Sequence, residues 1–117
     1  MNDKVNKFER VIQEHVPGKE VTLIHLIANL EHDLANRLNI HEGGHSLGLV
    51  TVSPNEAAIV VADLSVKSGA VVIEQVDQSN GCVVISGDFS SVECALKKVE
   101  DILGNVMHFA VCPITRT

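Results

Sequence analysis

The stretch LGLVTVSPNEAAIVVADLSVKSGAVVIEQVDQSNGCVVISGDFS, from Leu47 to Ser90, decides the fold. Leu47 to Val52 is an apolar run of strand length. Ser53-Pro54-Asn55-Glu56 then reads as a helix start, with Ser53 at the N-cap, Pro54 at the first helical position and Glu56 reaching back to the cap amide. Ala57, Val61 and Leu64 recur at helical spacing until Gly69 stops the helix. Val71 to Val76 is β-branched and strand-like, and Asn80-Gly81 is a hairpin signal ahead of Val83-Val84-Ile85. The device repeats. Ser90 and Glu93 form a second capping box, and Val92, Ala95, Leu96, Val99, Ile102 and Leu103 line one helix face. Gly104 closes that helix, and Val106 to Cys112 reads as the last strand. The order β-α-β-β-α-β predicts an α+β (α/β sandwich) fold of the split-βαβ, ferredoxin-like kind.

Outward from that unit, residues 1–9 are polar, carry no caps and read as a flexible tail. Arg10 to Val16 reads as a short strand ended by the turn chemistry of Pro17-Gly18. Val21 to Ala28 fits either a strand or a helix start. Leu30, Leu34 and Leu38 fall at i, i+4, i+8 and predict a short amphipathic helix, followed by a loop at His41-Glu42-Gly43-Gly44. The first 45 residues thus stand as an extension before an otherwise complete βαββαβ unit.

A chain of 117 residues is one domain with room for a real core. Aromatic residues are 3% and Trp and Tyr are absent, so that core is built from Val, Ile, Leu and Ala. A net charge of −6 with no Lys/Arg run argues against nucleic acid, whose phosphates need clustered basic groups. Three widely spaced cysteines make no disulfide framework and suit a reducing cytosol. The charged N-terminus lacks the apolar segment of a signal peptide, and the longest apolar run, Ala57 to Ala62, is far short of the roughly 20 residues that span a bilayer. The expectation is a cytosolic globular protein without membrane contact.

His41-Glu42-Gly43-Gly44-His45 matches the letters HExxH, but zinc hydrolysis by that motif needs a helix that aims both imidazoles at one metal. Two adjacent glycines in a helix interior cost about 2 kcal/mol relative to alanine, so the segment reads as a polar loop. His15, His25, His32 and His108 have no base or nucleophile near them by spacing, and Ser53 and Ser90 are explained by capping. Asp63 and Lys67 form an i,i+4 pair on a solvated helix face. No glycine-rich phosphate loop is present, and no catalytic residue is assigned. Cys94 and Cys112 read as small packing residues. Cys82 differs because it follows the hairpin Asn-Gly; in a ring, several copies would meet near an axis, and thiolates favour iron–sulfur clusters or zinc.

Two segments carry a family resemblance. Ala62-Asp63-Leu64-Ser65-Val66-Lys67-Ser68-Gly69-Ala70-Val71 resembles the helix end and strand of the bacterial microcompartment (BMC) shell domain. Val11 to Ala28, VIQEHVPGKEVTLIHLIA, is similar to the opening of the circularly permuted shell proteins of propanediol- and ethanolamine-utilisation compartments, and Ile114-Thr115-Arg116-Thr117 is like the propanediol type. The resemblance covers the chain from about Arg10 onward. It implies one permuted shell domain over residues 10–117, with the usual C-terminal strand and helix moved to the front.

The resemblance further implies a cyclic homohexamer tiling with other shell proteins around encapsulated enzymes in the bacterial cytoplasm. Lys67 matches the residue at which hexamer edges meet, and Val11, Ile12, Gln13, Glu14, His15 and Val16 match a strand that joins its copies in an axial barrel. Ser79, Asn80, Gly81 and Cys82 match the pore loop. Relatives carry a sequence like D-R-F-T-G-A there, whereas this chain has Asp77-Gln78-Ser79-Asn80-Gly81-Cys82. That exchange keeps open an iron–sulfur cluster on Cys82, passing electrons at the pore, against Cys82 as a small strand residue turned into the fold. A third reading, from fold analogy alone, is a metabolite-binding regulatory domain.

Overall fold

The computed structural model describes residues 18–40 and 46–117. The tail 1–9, the strand and axial barrel expected within 10–16, His15 and the His41–His45 loop lie outside these residues.

Strands β1 (Glu20–Ile27), β2 (Ser46–Ser53), β3 (Val72–Asp77), β4 (Cys82–Gly87), β5 (Ala110–Val111) and β6 (Thr115–Arg116) form one sheet. Helices α1 (His32–Arg37), α2 (Ala57–Ser68) and α3 (Phe89–Asp101) join them, and a π-helical turn, Ile102–Val106, extends α3. The sheet order is β3-β4-β2-β1-β5, with β6 also on β1. β3, β4, β2 and β1 pair antiparallel in turn, so α2 carries the chain from β2 to β3 across the intervening β4, the expected split βαβ.

The core follows from strand alternation. Ile24 and Leu26 of β1, Val50 and Val52 of β2, and Val83 and Ile85 of β4 turn to one face and are buried. Against them lie Ala57, Ala58 and Val61 of α2, and Val92, Ala95, Leu96 and Val99 of α3, with Leu103 and Phe109 closing one end. The two helices lie against each other as well as on the sheet. The buried Ser65 hydroxyl donates to Val61 O at 2.8 Å, so it adds no unsatisfied group.

Several expectations from sequence are corrected. β1 is a strand, and it is not an extension beside a finished unit: it occupies the sheet position next to β2, and its Ile24 and Leu26 are fully buried. The strand expected over Val106 to Cys112 is displaced. Residues 102–106 continue as the π-helical turn, with Gly104 inside it, where a Cβ would sit 3.2 Å from Val111 Cγ2. The strand forms later, as β5 and β6, both parallel to β1 and at the same sequence offset from it. Pro113 lies between them and has no N–H to give the ladder, which splits one strand into two short ones.

The helix starts also move. β2 runs through Ser53, which pairs with Glu20, so Ser53 is a strand residue rather than a cap. Pro54, Asn55 and Glu56 form tight turns whose carbonyls accept from Ala57, Ala58 and Ile59, and Glu56 makes no side-chain cap. α3 is capped by Asp88, whose carboxylate accepts the Ser91 N–H at 3.0 Å, while Ser90 lies inside the helix. An ionised oxygen is the stronger acceptor, and it wins the cap. The helix expected around Leu30–Leu38 is α1, capped by Glu31, with Leu34 45% and Leu38 52% exposed.

Leu96→Ala should cost about 3 kcal/mol, read as a lower urea midpoint at unchanged slope. His108, at φ 63° just past the π-helical turn, pays left-handed strain. His108→Gly should therefore raise stability by about 1 kcal/mol in the same measurement.

Candidate functional site

The loop between β3 and β4 is short, polar and over-determined. Asp77, the last residue of β3, accepts through Oδ1 from the Ser79 N–H at 3.0 Å, the Ser79 hydroxyl at 2.6 Å and the Asn80 N–H at 3.2 Å. Its Oδ2 accepts from Asn80 Nδ2 at 2.8 Å. These bonds, led by those from the Ser79 and Asn80 side chains, hold the Asp77 carboxyl below its ordinary value of 3.8.

Gly81 has φ +71°, and a Cβ on it would run into the Val52 carbonyl oxygen. Its own carbonyl accepts from Val52 N–H at 2.8 Å and its N–H donates to Asp77 O at 2.8 Å. From outside, Asn55 Nδ2 donates to Ser79 O at 2.8 Å. That brace has no signature in local sequence, because Asn55 and Ser79 meet only once β2 and β4 pair.

Cys82 opens β4, opposite Thr51 and Asp77, on the sheet face away from the helices. It is half-buried, with Sγ 3.8 Å from Thr51 Oγ1, so it is turned neither into the core nor freely into solvent. One chain offers one sulfur here, and a cluster of the usual four-cysteine kind needs sulfur from further copies. Among the described residues no group of three or more His, Cys, Asp and Glu side chains lies close enough to hold a metal ion.

The other sites separate. Lys67 stands exposed in the last turn of α2 and pairs with Asp63 at 2.8 Å rather than with a loop residue. Cys94 is exposed on α3, with Sγ 3.9 Å from Ser68 O, and Cys112 is half-buried beyond β5. His25, which has no partner by sequence spacing, gains two in the fold. Its ring nitrogens lie 2.6 Å from Thr115 Oγ1 and 2.8 Å from Thr117 Oγ1, a contact invisible until β6 docks on β1. Beneath the end of α1, Leu38, Ile40, Leu47, Leu49, Glu74, Gln75 and Val84 line a cleft of about 180 Å³ on the same outer sheet face as Cys82. Glu74 accepts the buried Ser86 hydroxyl at 2.6 Å there. No helix among the described residues is long and apolar enough to cross a membrane.

Residues 46–115 match the BMC domain. The chain is 50% identical over 109 residues to the bacterial microcompartment shell protein PduU of Salmonella typhimurium, covering 93% of this chain and 94% of that one. It is 38% identical to EutS of Escherichia coli, covering 93% and 97%, and 38% identical to CutR of Streptococcus intermedius over the whole of both chains. Among solved structures it is similar to the CutR flat hexamer, with a TM-score of 0.81 at 36% identity over 90% of this chain and 96% of that chain.

Gly81→Ala should lower stability by about 3 kcal/mol through strain and backbone collision. The depressed Asp77 and Asp88 carboxyls contribute stability above about pH 4 that is lost as pH falls through their folded values. Asp77→Ala should thus flatten the fall of the urea midpoint on acidification below that pH relative to the wild type.

Proposed function

Because the chain belongs to the BMC-domain family of bacterial microcompartment shell proteins, we propose that it is a structural tile, not an enzyme, whose six copies close a ring and whose rings abut. The observation that carries this reading is the placement of β1 beside β2. A strand from the front of the chain supplies the sheet position that the βαββαβ order assigns to its end, as a circular permutation of the shell domain requires. The likeness to the CutR flat hexamer supports the ring. Membership of a shell-protein family also removes the regulatory-domain reading, which rested on fold analogy.

In this reading Lys67 lies at the ring's rim, where an exposed ammonium on a helix end meets its own copy across a two-fold contact. Residues 79–82 face the ring axis, and Val11 to Val16 join their copies in a barrel over it. The partners are further copies, other shell proteins and the enclosed enzymes, in the bacterial cytoplasm. The function is physical: packed tiles slow the diffusion of small intermediates, and the loop sets what passes at the axis.

Purified protein should sediment at six times the mass of the 12.6 kDa chain and appear as discs in negative stain. Lys67→Ala should keep the discs and lose sheets or tubes. Monomers at high concentration would overturn the proposal.

A second reading adds an iron–sulfur cluster on Cys82. It rests on the half-exposed thiol one residue past the loop, multiplied by ring symmetry. Anaerobic preparations should then show visible absorption that Cys82→Ser removes, and colourless, iron-free wild type ends it.

A further inference from the structure

Asn80 is the one asparagine in the sequence that a glycine follows. Asparagine is among the thermolabile residues, and a following glycine has no side chain to shield its backbone nitrogen. In such a pair the Gly81 nitrogen attacks Cγ of Asn80 and the Cγ–Nδ2 bond breaks. Ammonia leaves, its third hydrogen coming from the Gly81 N–H. Solvent water then opens the cyclic imide and leaves a carboxylate at position 80, on either the normal or the isomerised backbone. Gln78, Ser79 and Asn80 are exposed, so water and base reach the loop.

The folded loop opposes each requirement of that reaction. The Gly81 nitrogen must give up its hydrogen, but Gly81 is buried and donates that hydrogen to Asp77 O at 2.8 Å. The Asn80 carboxamide must turn onto that nitrogen, but its Nδ2 donates to Asp77 Oδ2 at 2.8 Å. The backbone between them must rotate, yet the Asn80 N–H donates to Asp77 Oδ1 at 3.2 Å and Gly81 O accepts from the Val52 N–H at 2.8 Å. One residue thus holds the nucleophile, the leaving group and the chain that joins them. We propose that Asn80-Gly81 is a self-modification site and that Asp77 is the positioning residue that keeps it from closing on itself. When closure does occur, the Nδ2 donor gives way to a second carboxylate beside Asp77, and the like charges unlock the loop. The result is a one-way change in loop order, on the segment that the proposed ring places at its axis, but the chemistry needs only the single chain.

The test follows deamidation and isomerisation at position 80 by peptide mapping and mass spectrometry in mildly alkaline buffer. Folded protein is compared with the free peptide of residues 76–83, its thiol kept reduced. Folded wild type should convert about 100-fold more slowly than the peptide, and Asp77→Ala about 10-fold faster than wild type. Leu96→Ala, which weakens the core and leaves the loop's bonds in place, should convert at the wild-type rate while folded. Wild type that converts as fast as the peptide overturns the proposal. So does a folded Asp77→Ala at the wild-type rate, or a folded Leu96→Ala as fast as Asp77→Ala, which marks global opening as the route. Should Asp77→Ala not fold, Asn80→Asp decides: its Ser79 and Gly81 amides must exchange about 10-fold faster than in wild type, and equal protection overturns the proposal. No readout depends on a ring forming.

Discussion

The antiparallel pairing of β1 with β2 is the constraint on which the rest of the fold depends. Without it β2 would be an edge strand, and Val50 and Val52 would lose their partners Ile24 and Val21 on the helix-facing side. α3 would then lie partly over open sheet. The same pairing gives β1 a second edge, and only that edge lets β5 and β6 dock. One non-local ladder therefore completes the core and positions the chain's last residues.

The loop at 77–82 shows a different economy. It buries little apolar surface, yet Asp77 receives four hydrogen bonds from within it and Asn55 holds it from outside. A loop fixed this way keeps its shape without a core beneath it. Its conformation is set by polar contacts rather than by packing beneath it.

The central unit was legible in sequence because its signals are local. Helical spacing in α2 and α3, β-branched runs, and the Asn80-Gly81 turn each report on neighbours within a few residues. What escaped was settled by distant partners. Ser53 lost its capping role to a ladder with Glu20, and Asp88 displaced Ser90 because the helix opened earlier than the serine pattern suggested. Gly104 stands inside a turn, close beside Val111, rather than at a helix stop. Of the candidate site, the glycine turn and Cys82 could be read directly, but the Asn55 brace and the His25 clasp exist only after strands far apart in the chain have paired.

Both long helices pack on one side of the sheet, while Leu49, Thr51, Cys82 and Val84 lie on the other, Leu49 and Val84 beside the end of α1. A partition assembled from such units has unlike surfaces. Copies that assemble in one orientation therefore present one kind of chemistry on each side, so orientation, and not composition alone, decides what each side meets.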